Sequence, residues 1–252
     1  LKAVPLELHG HRKKLQFFLD SLEAYRLQRS LKPAEVSVVE VGCSNGRNIS
    51  LPLAEQGYVI TGVDIHEPSI VWAQKHNQFD NAQFLCQDFA LFSGDEMFDV
   101  VVLSDILEHV DNPSSIIRLS LEHLKPGGMI LVCIPNGYGP YENEQRFLRF
   151  THLDRLIEVV KRKIKILIGR RPEYQVAYNY DSGHVQFFSM RDFEDLASEA
   201  GLEISDRANG ALFGGSLTYA LGILMPFIVS PSLRLANLLP ASCVTTWYFR
   251  LE

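Results

Sequence analysis

The residues of this 252-residue chain that could do chemistry stand at the ends of its apolar runs. Val38-Val39-Glu40-Val41 stops at Gly42-Cys43-Ser44-Asn45-Gly46, and a second run closes on Asp64, 22 residues after Gly42. The first glycine permits a tight turn after a strand, and the second lets a ligand lie against bare backbone at a helix N-terminus. A carboxylate at the next strand end can accept two ribose hydroxyl protons. The expected ligand is a nucleotide-type cofactor. A dinucleotide site would read G-x-G-x-x-G, whereas the chain reads E-x-G-x-x-x-G. Glu40 beside the turn suits a cationic ligand better than a diphosphate.

Further polar groups follow the later runs: Asp88-Phe89 after the third, Ser104-Asp105 after the fourth with Glu108-His109 just beyond, and His184 well downstream. Imidazole titrates near neutral pH and can take a proton from an attacking hydroxyl. Singly, each aspartate reads as a turn or cap residue and each histidine as a satisfied structural group. It is their recurrence after successive strands that argues for one cofactor site.

At these residues the chain resembles the class I S-adenosylmethionine-dependent methyltransferases, whose first motif is E/D-x-G-x-G/S/x-x-G at the end of the first strand. Ser44 stands where the middle glycine is often found. The resemblance covers 36–136 and, more loosely, 184–206. It implies that Gly42 and Gly46 border the methionine and ribose portions, with Cys43, Ser44 and Ile65 beside them and Glu40 in support near the ligand amine. Asp64 would take the ribose hydroxyls, Asp88 the adenine amino group with Phe89 against the ring, and Ser104 would contact the cofactor or line the reaction side. The Leu-Glu-His and His-Val-x-Phe-Phe surroundings of His109 and His184 are similar to those of small-molecule methyltransferases, including enzymes of quinone biosynthesis, so these two are the candidate catalytic bases. The implied cofactor is S-adenosylmethionine, leaving as S-adenosylhomocysteine, with no metal. The implied acceptor is a small or lipid-linked metabolite, methylated at oxygen by preference, such as a saccharide or quinone-like intermediate. A nicotinamide oxidoreductase on a similar fold, and a domain that binds the cofactor without catalysis, are the rival readings.

The elements that must position these groups alternate in α/β rhythm. The pattern predicts strands at 36–41, 58–63, 83–86, 98–103 and 129–134, with helices at 46–56, from 67 behind Pro68, and from Pro113 behind an Asn112 cap up to Lys125-Pro126-Gly127-Gly128. An amphipathic helix within 6–30, carrying Leu15, Phe18, Leu19 and Leu22, precedes them and ends at Pro33. The rhythm breaks over 137–182, where a basic helix from Glu144 to Ile168 reads as an insertion. It resumes at His184 to Phe188, with a Ser189/Asp192 capping box for a helix at 190–200, a strand at 202–206, a helix begun by Ser230-Pro231 and a closing strand at 245–250. The expected fold is one α/β domain over 1–252. It is a Rossmann-like, seven-stranded, mostly parallel sheet with helices on both faces, the last strand antiparallel and helical cap insertions added.

Composition narrows the partners. A formal charge of −6 with 46% hydrophobic residues gives no drive toward a polyanion, so nucleic acid is not an expected partner. Cys43, Cys86, Cys133 and Cys243 are scattered without a C-x-x-C pair and read as reduced thiols. The N-terminus has no secretory pattern, and Leu1 in place of Met points to a start further upstream; a cytoplasmic location is expected. Within 155–171 seven Lys/Arg face one Glu among aliphatic residues, and 208–233 carries no charge. The preferred reading is a pair of cap helices over the substrate pocket. Peripheral membrane contact comes second, and a transmembrane span is disfavoured by its glycines and Pro226. The oligomeric state is left open.

Overall fold

The computed structural model describes residues 10–92, 96–153, 183–212, 215 and 229–252. Its elements run α1 (His11–Gln28), β1 (Ser37–Val41), α2 (Ser50–Glu55), β2 (Val59–Asp64), α3 (Glu67–His76), β3 (Ala82–Cys86), β4 (Phe98–Ser104), α4 (Pro113–Glu122), β5 (Leu124–Pro135), α5 (Pro140–Phe150), α6 (Met190–Glu199), β6 (Ile204–Asn209), α7 (Val229–Ala236) and β7 (Thr246–Leu251). The sheet order is β3-β2-β1-β4-β5-β7-β6. All pairings are parallel except those of β7, which runs antiparallel to both β5 and β6. The strand order therefore reverses between β1 and β4, where open α/β sheets place their ligands.

Side-chain alternation sorts the core into two layers. Val39, Val41, Val101, Leu103, Ile130, Val132 and Ile134 face one side with Ile117 of α4 and Phe193 and Ala197 of α6. Val38, Val100, Val102, Leu131 and Cys133 face the other with Phe18, Leu22 and Tyr25 of α1 and Leu53 of α2. The parity of a residue on its strand thus decides which helices it meets.

Several boundaries differ from the sequence pattern for local reasons. The helix expected from 46 begins only at Ser50, because Gly46 takes a left-handed φ of 70° and the chain needs the intervening residues to turn. Lys125-Pro126-Gly127-Gly128 does end a helix, but it also opens β5, whose pairing with β4 shifts register there. His184 to Phe188 forms no ladder. It crosses the C-terminal edge of the sheet, with Val185 N and Gln186 N donating to Glu108 O at 2.8 and 3.0 Å and Gly137 N donating to Phe188 O at 2.9 Å. The expected caps are present: Asn112 accepts from Ser115 N, and Ser189 and Asp192 bond reciprocally. Of the predicted basic helix, α5 covers the start, while 155–171 and most of 208–233 lie outside the described residues. Among the described residues no helix is long and apolar enough to cross a membrane.

Candidate active site

A cleft of about 900 Å³ opens over the C-terminal ends of β1, β2, β4 and β5. At one end, Gly42 and Gly46 both sit at left-handed φ, 71° and 70°. A Cβ on Gly42 would fall 2.7 Å from Ile106 Cδ1, and one on Gly46 would fall 2.5 Å from Phe84 Cε1, so side chains are excluded by space as well as by torsion. Ser44 holds a left-handed φ of 50° without being glycine. Its backbone N–H donates to Asp64 Oδ2 at 2.7 Å, and His66 N donates to Asp64 Oδ1 at 2.7 Å. The Asp64 carboxylate is thereby fixed at the cleft wall with a second lone pair on each oxygen still to offer.

The other cofactor candidates divide. Gly42, Ser44, Asp64, Ile65, Asp88 and Phe89 line the cleft, whereas Glu40, Cys43, Gly46 and Ser104 stand behind it. Glu40 has the parity of Val38, so it faces α2 and accepts from both the N–H and the hydroxyl of Ser50. Burial pushes its carboxyl up to about 7, with the Ser50 bonds opposing. Asp88 accepts from Ala90 N at 2.9 Å as the cap of a short 3₁₀ turn. The Phe89 ring is 3% exposed, with Phe92 and His123 rings at 5.7 and 5.6 Å, so it belongs more to the core than to an open stacking face.

Ser104 has even parity as well and meets α1, where Lys14 Nζ donates to its hydroxyl at 2.8 Å and pairs with the Asp105 carboxylate. Asp105 is the residue that reaches the cleft. It sits at a φ of 54° and also accepts from Cys133 Sγ at 2.9 Å. Burial alone would raise its carboxyl, but the Lys14 ammonium and these bonds hold it down at about 2. Burial would lower Lys14, and Asp105 reverses that, so the ammonium stays charged.

At the far end the two histidines meet, their rings edge to face with centroids 5.0 Å apart. His109 Nδ1 lies 3.1 Å from Gly183 O, a pairing that needs a proton on Nδ1, and burial lowers the pKa of the ring. His184 Nδ1 lies 2.7 Å from Glu142 Oε1. Beside them Glu108 is buried, its Oε2 finds no partner, and burial followed by the Asp105 charge raises its carboxyl far above the usual range. Side-chain donor atoms of Glu108, His109 and His184 all fall within 4.8 Å of one another, a convergence that sequence spacing did not suggest. His109 Nε2 stands 3.9 Å from Glu108 Oε1. Ligands of a tetrahedral zinc with bonds of about 2.0–2.1 Å sit about 3.3 Å apart, so this set would have to close before it held one.

Lys14 and Glu142 were not among the sequence candidates, and Asp105 stood there only as a polar group after the fourth run, without a role. Lys14 carried a signal: it shares the apolar stripe of α1 with Phe18, Leu22 and Tyr25, an improbable place for an unpaired ammonium.

A family model described as "Methyltransferase domain" matches residues 10–206. A ubiquinone biosynthesis O-methyltransferase of Pasteurella multocida (strain Pm70) is 38% identical over 106 residues, covering 37% of this chain and 43% of that enzyme. The enzyme of the same name from Rickettsia akari (strain Hartford) is 29% identical over 125 residues, 49% of this chain and 48% of the relative. The chain thus spans about half the length, or less, of the curated relatives it matches. Among solved structures, magnesium protoporphyrin IX methyltransferase from Synechocystis PCC 6803 with bound SAH superposes with a TM-score of 0.54 at 16% identity, covering 96% of this chain and 84% of that one. A plantazolicin methyltransferase in complex with a triazolic desmethylPZN analog and SAH gives 0.53 at 19%, covering 91% and 80%. These likenesses show the fold. The match over 10–206 removes the nicotinamide reading, and the chain belongs to the methyltransferase domain family, built on the class I architecture of its S-adenosylmethionine-dependent members.

Proposed function

We propose that the chain transfers the methyl group of S-adenosylmethionine to an oxygen of a small or lipid-linked acceptor. The observation that carries this reading is the polarity of the cleft: a carboxylate and bare glycine backbone at one end, two imidazoles at the other. The first end fits the cofactor. Asp64 offers lone pairs to a pair of ribose hydroxyls, Gly42 presents bare backbone to the cleft while Gly46 behind it lets the loop turn against Phe84, and Asp88 stands at the third strand end for an amino group. When bound, the cofactor supplies a methyl group on a sulfonium, an electrophile open to in-line displacement.

The chain's own contribution is then to hold and to deprotonate. Positioning alone can supply effective molarities of about 10⁵ M or more when reacting groups are aligned. His184, and His109 beside it, can accept the proton an attacking hydroxyl must lose. Burial lowers the pKa of His109, which keeps that ring neutral and able to accept near pH 7. The oxygen preference draws support from the names of the matched relatives, ubiquinone biosynthesis O-methyltransferases.

The test is incubation of purified protein with a cell extract and S-adenosylmethionine carrying a deuterated methyl, followed by mass spectrometry. A metabolite that gains the label at oxygen identifies the acceptor. Labelling at nitrogen or carbon alone, or no labelling, rejects the reading.

A further inference from the structure

We infer that Glu142 is a positioning residue for methyl transfer, fixing the ring of His184 so that Nε2 is its proton-accepting nitrogen. This rests on the proposed reading that His184 takes the acceptor's proton. Glu142 lies in the first turn of α5, is 3% exposed, and puts Oε1 2.7 Å from His184 Nδ1. A carboxylate accepts and cannot donate while ionised, so this contact calls for the proton on Nδ1, and in the neutral ring the lone pair is then on Nε2. The ring itself lines the cleft.

The meeting of these two distant residues is built into the backbone. Gly137 N donates to Phe188 O at 2.9 Å, and a Cβ on Gly137 would lie 2.5 Å from the Phe187 carbonyl carbon. Arg146 of α5 spans the same seam, donating to Gly137 O at 2.9 Å and lying 5.2 Å from the centroid of the Phe187 ring. A Cβ on Gly139 would fall 2.6 Å from Val244 O, which sets the start of α5 against the end of the sheet. The rigid seam delivers Glu142 to His184. Helix capping does not account for the carboxyl, because its hydrogen bond goes to an imidazole 42 residues away. Burying a carboxyl that serves no partner would be costly, and here the partner is the imidazole at the reacting end of the cleft.

The experiment compares wild type, E142A, E142Q, H184Q and E142A/H184Q for labelled methyl transfer to the extract. Each protein is also characterised by SAH affinity and by ¹⁵N NMR of histidine-labelled samples, the His184 signals being assigned by their loss in H184Q. The expected result is a loss of about 10- to 100-fold in turnover for E142A with SAH affinity within twofold of wild type. E142Q, whose amide oxygen can still accept from Nδ1–H, should recover at least half of that loss on a logarithmic scale. The double variant should be no slower than H184Q, and the wild-type ring should be protonated at Nδ1 and lose that preference in E142A. An unchanged His184 tautomer in E142A, or additive losses in the double variant, overturns the inference. If H184Q keeps full turnover, the parent reading of His184 falls and Glu142 falls with it. If H184Q is impaired and E142A is not, Glu142 alone is refuted.

Discussion

Asp64 and Glu40 are both carboxylates at strand ends beside the glycine loop, and the pleat gives them opposite fates. Asp64 is held by two backbone N–H groups at the cleft wall. In Asp64→Asn one amide face must present N–H₂ to a backbone donor, and the charge that strengthens ribose hydrogen bonds is lost. At about 1.5–3 kcal/mol for hydrogen bonds to a charged group, SAH affinity measured by calorimetry should fall roughly 10- to 100-fold. Glu40 is buried with its folded-state pKa raised from 4.5 to about 7. A group raised on folding contributes stability fully below its unfolded pKa and loses it as pH climbs through the folded value. Urea unfolding of wild type should therefore show a decline between about pH 4.5 and 7 that Glu40→Gln lacks, seen in the difference between the two curves. The E-x-G-x-x-x-G motif was legible in the sequence. That Glu40 turns inward follows from counting parity from Val38, and Ser104 gives way to Asp105 at the cleft by the same count.

The strands and most helices were legible because each carries its own periodicity and punctuation. What escaped were contacts between elements far apart in sequence. No local pattern announces that Lys14 on α1 will meet Asp105 after β4, or that α5 will bring Glu142 to His184. The segment 184–188, where the α/β rhythm resumes, donates from Val185 N and Gln186 N to Glu108 O and crosses the strand ends, a course no local pattern shows. The start of α1 is tied down in three places: Lys14 to Asp105, Lys13 Nζ to Gly210 O at 2.9 Å, and Tyr248 Oη to Gly10 O at 3.2 Å. Tyr248→Phe should keep the packing against Phe17 and remove the last tie, at a cost of about 0.5–1.5 kcal/mol for one hydrogen bond, since Gly10 O still accepts from Lys14 N at 2.8 Å. Hydrogen exchange should quicken in 10–14 while β1 and β4 keep their protection. Equal quickening throughout would mean that Tyr248 acts on the whole sheet.

For the molecule as a whole, a net charge of −6 conceals a local reversal at 155–171. The described residues leading into it, Phe147, Phe150 and Leu153, are exposed apolar side chains. If this part of the chain rests on a lipid surface while it handles a lipid-linked acceptor, the protein should co-sediment with anionic vesicles at low salt and release as salt rises, since such attraction fades beyond a Debye length of about 8–10 Å at 0.1–0.15 M. Absence of binding at low salt refutes membrane contact. The sheet order also carries a consequence for how the protein is made. Among the described residues β7 is the last strand but lies inside the sheet, between β5 and β6, and β6 has no other strand neighbour there. While a ribosome is still adding residues before Thr246, β5 therefore presents an open edge bearing Ile130, Val132 and Ile134, and β6 has nowhere to pair. A chain stopped at Val244 should bind hydrophobic-sensing chaperones and be cut by protease in 204–209, and supplying residues 245–252 as a separate peptide should restore resistance.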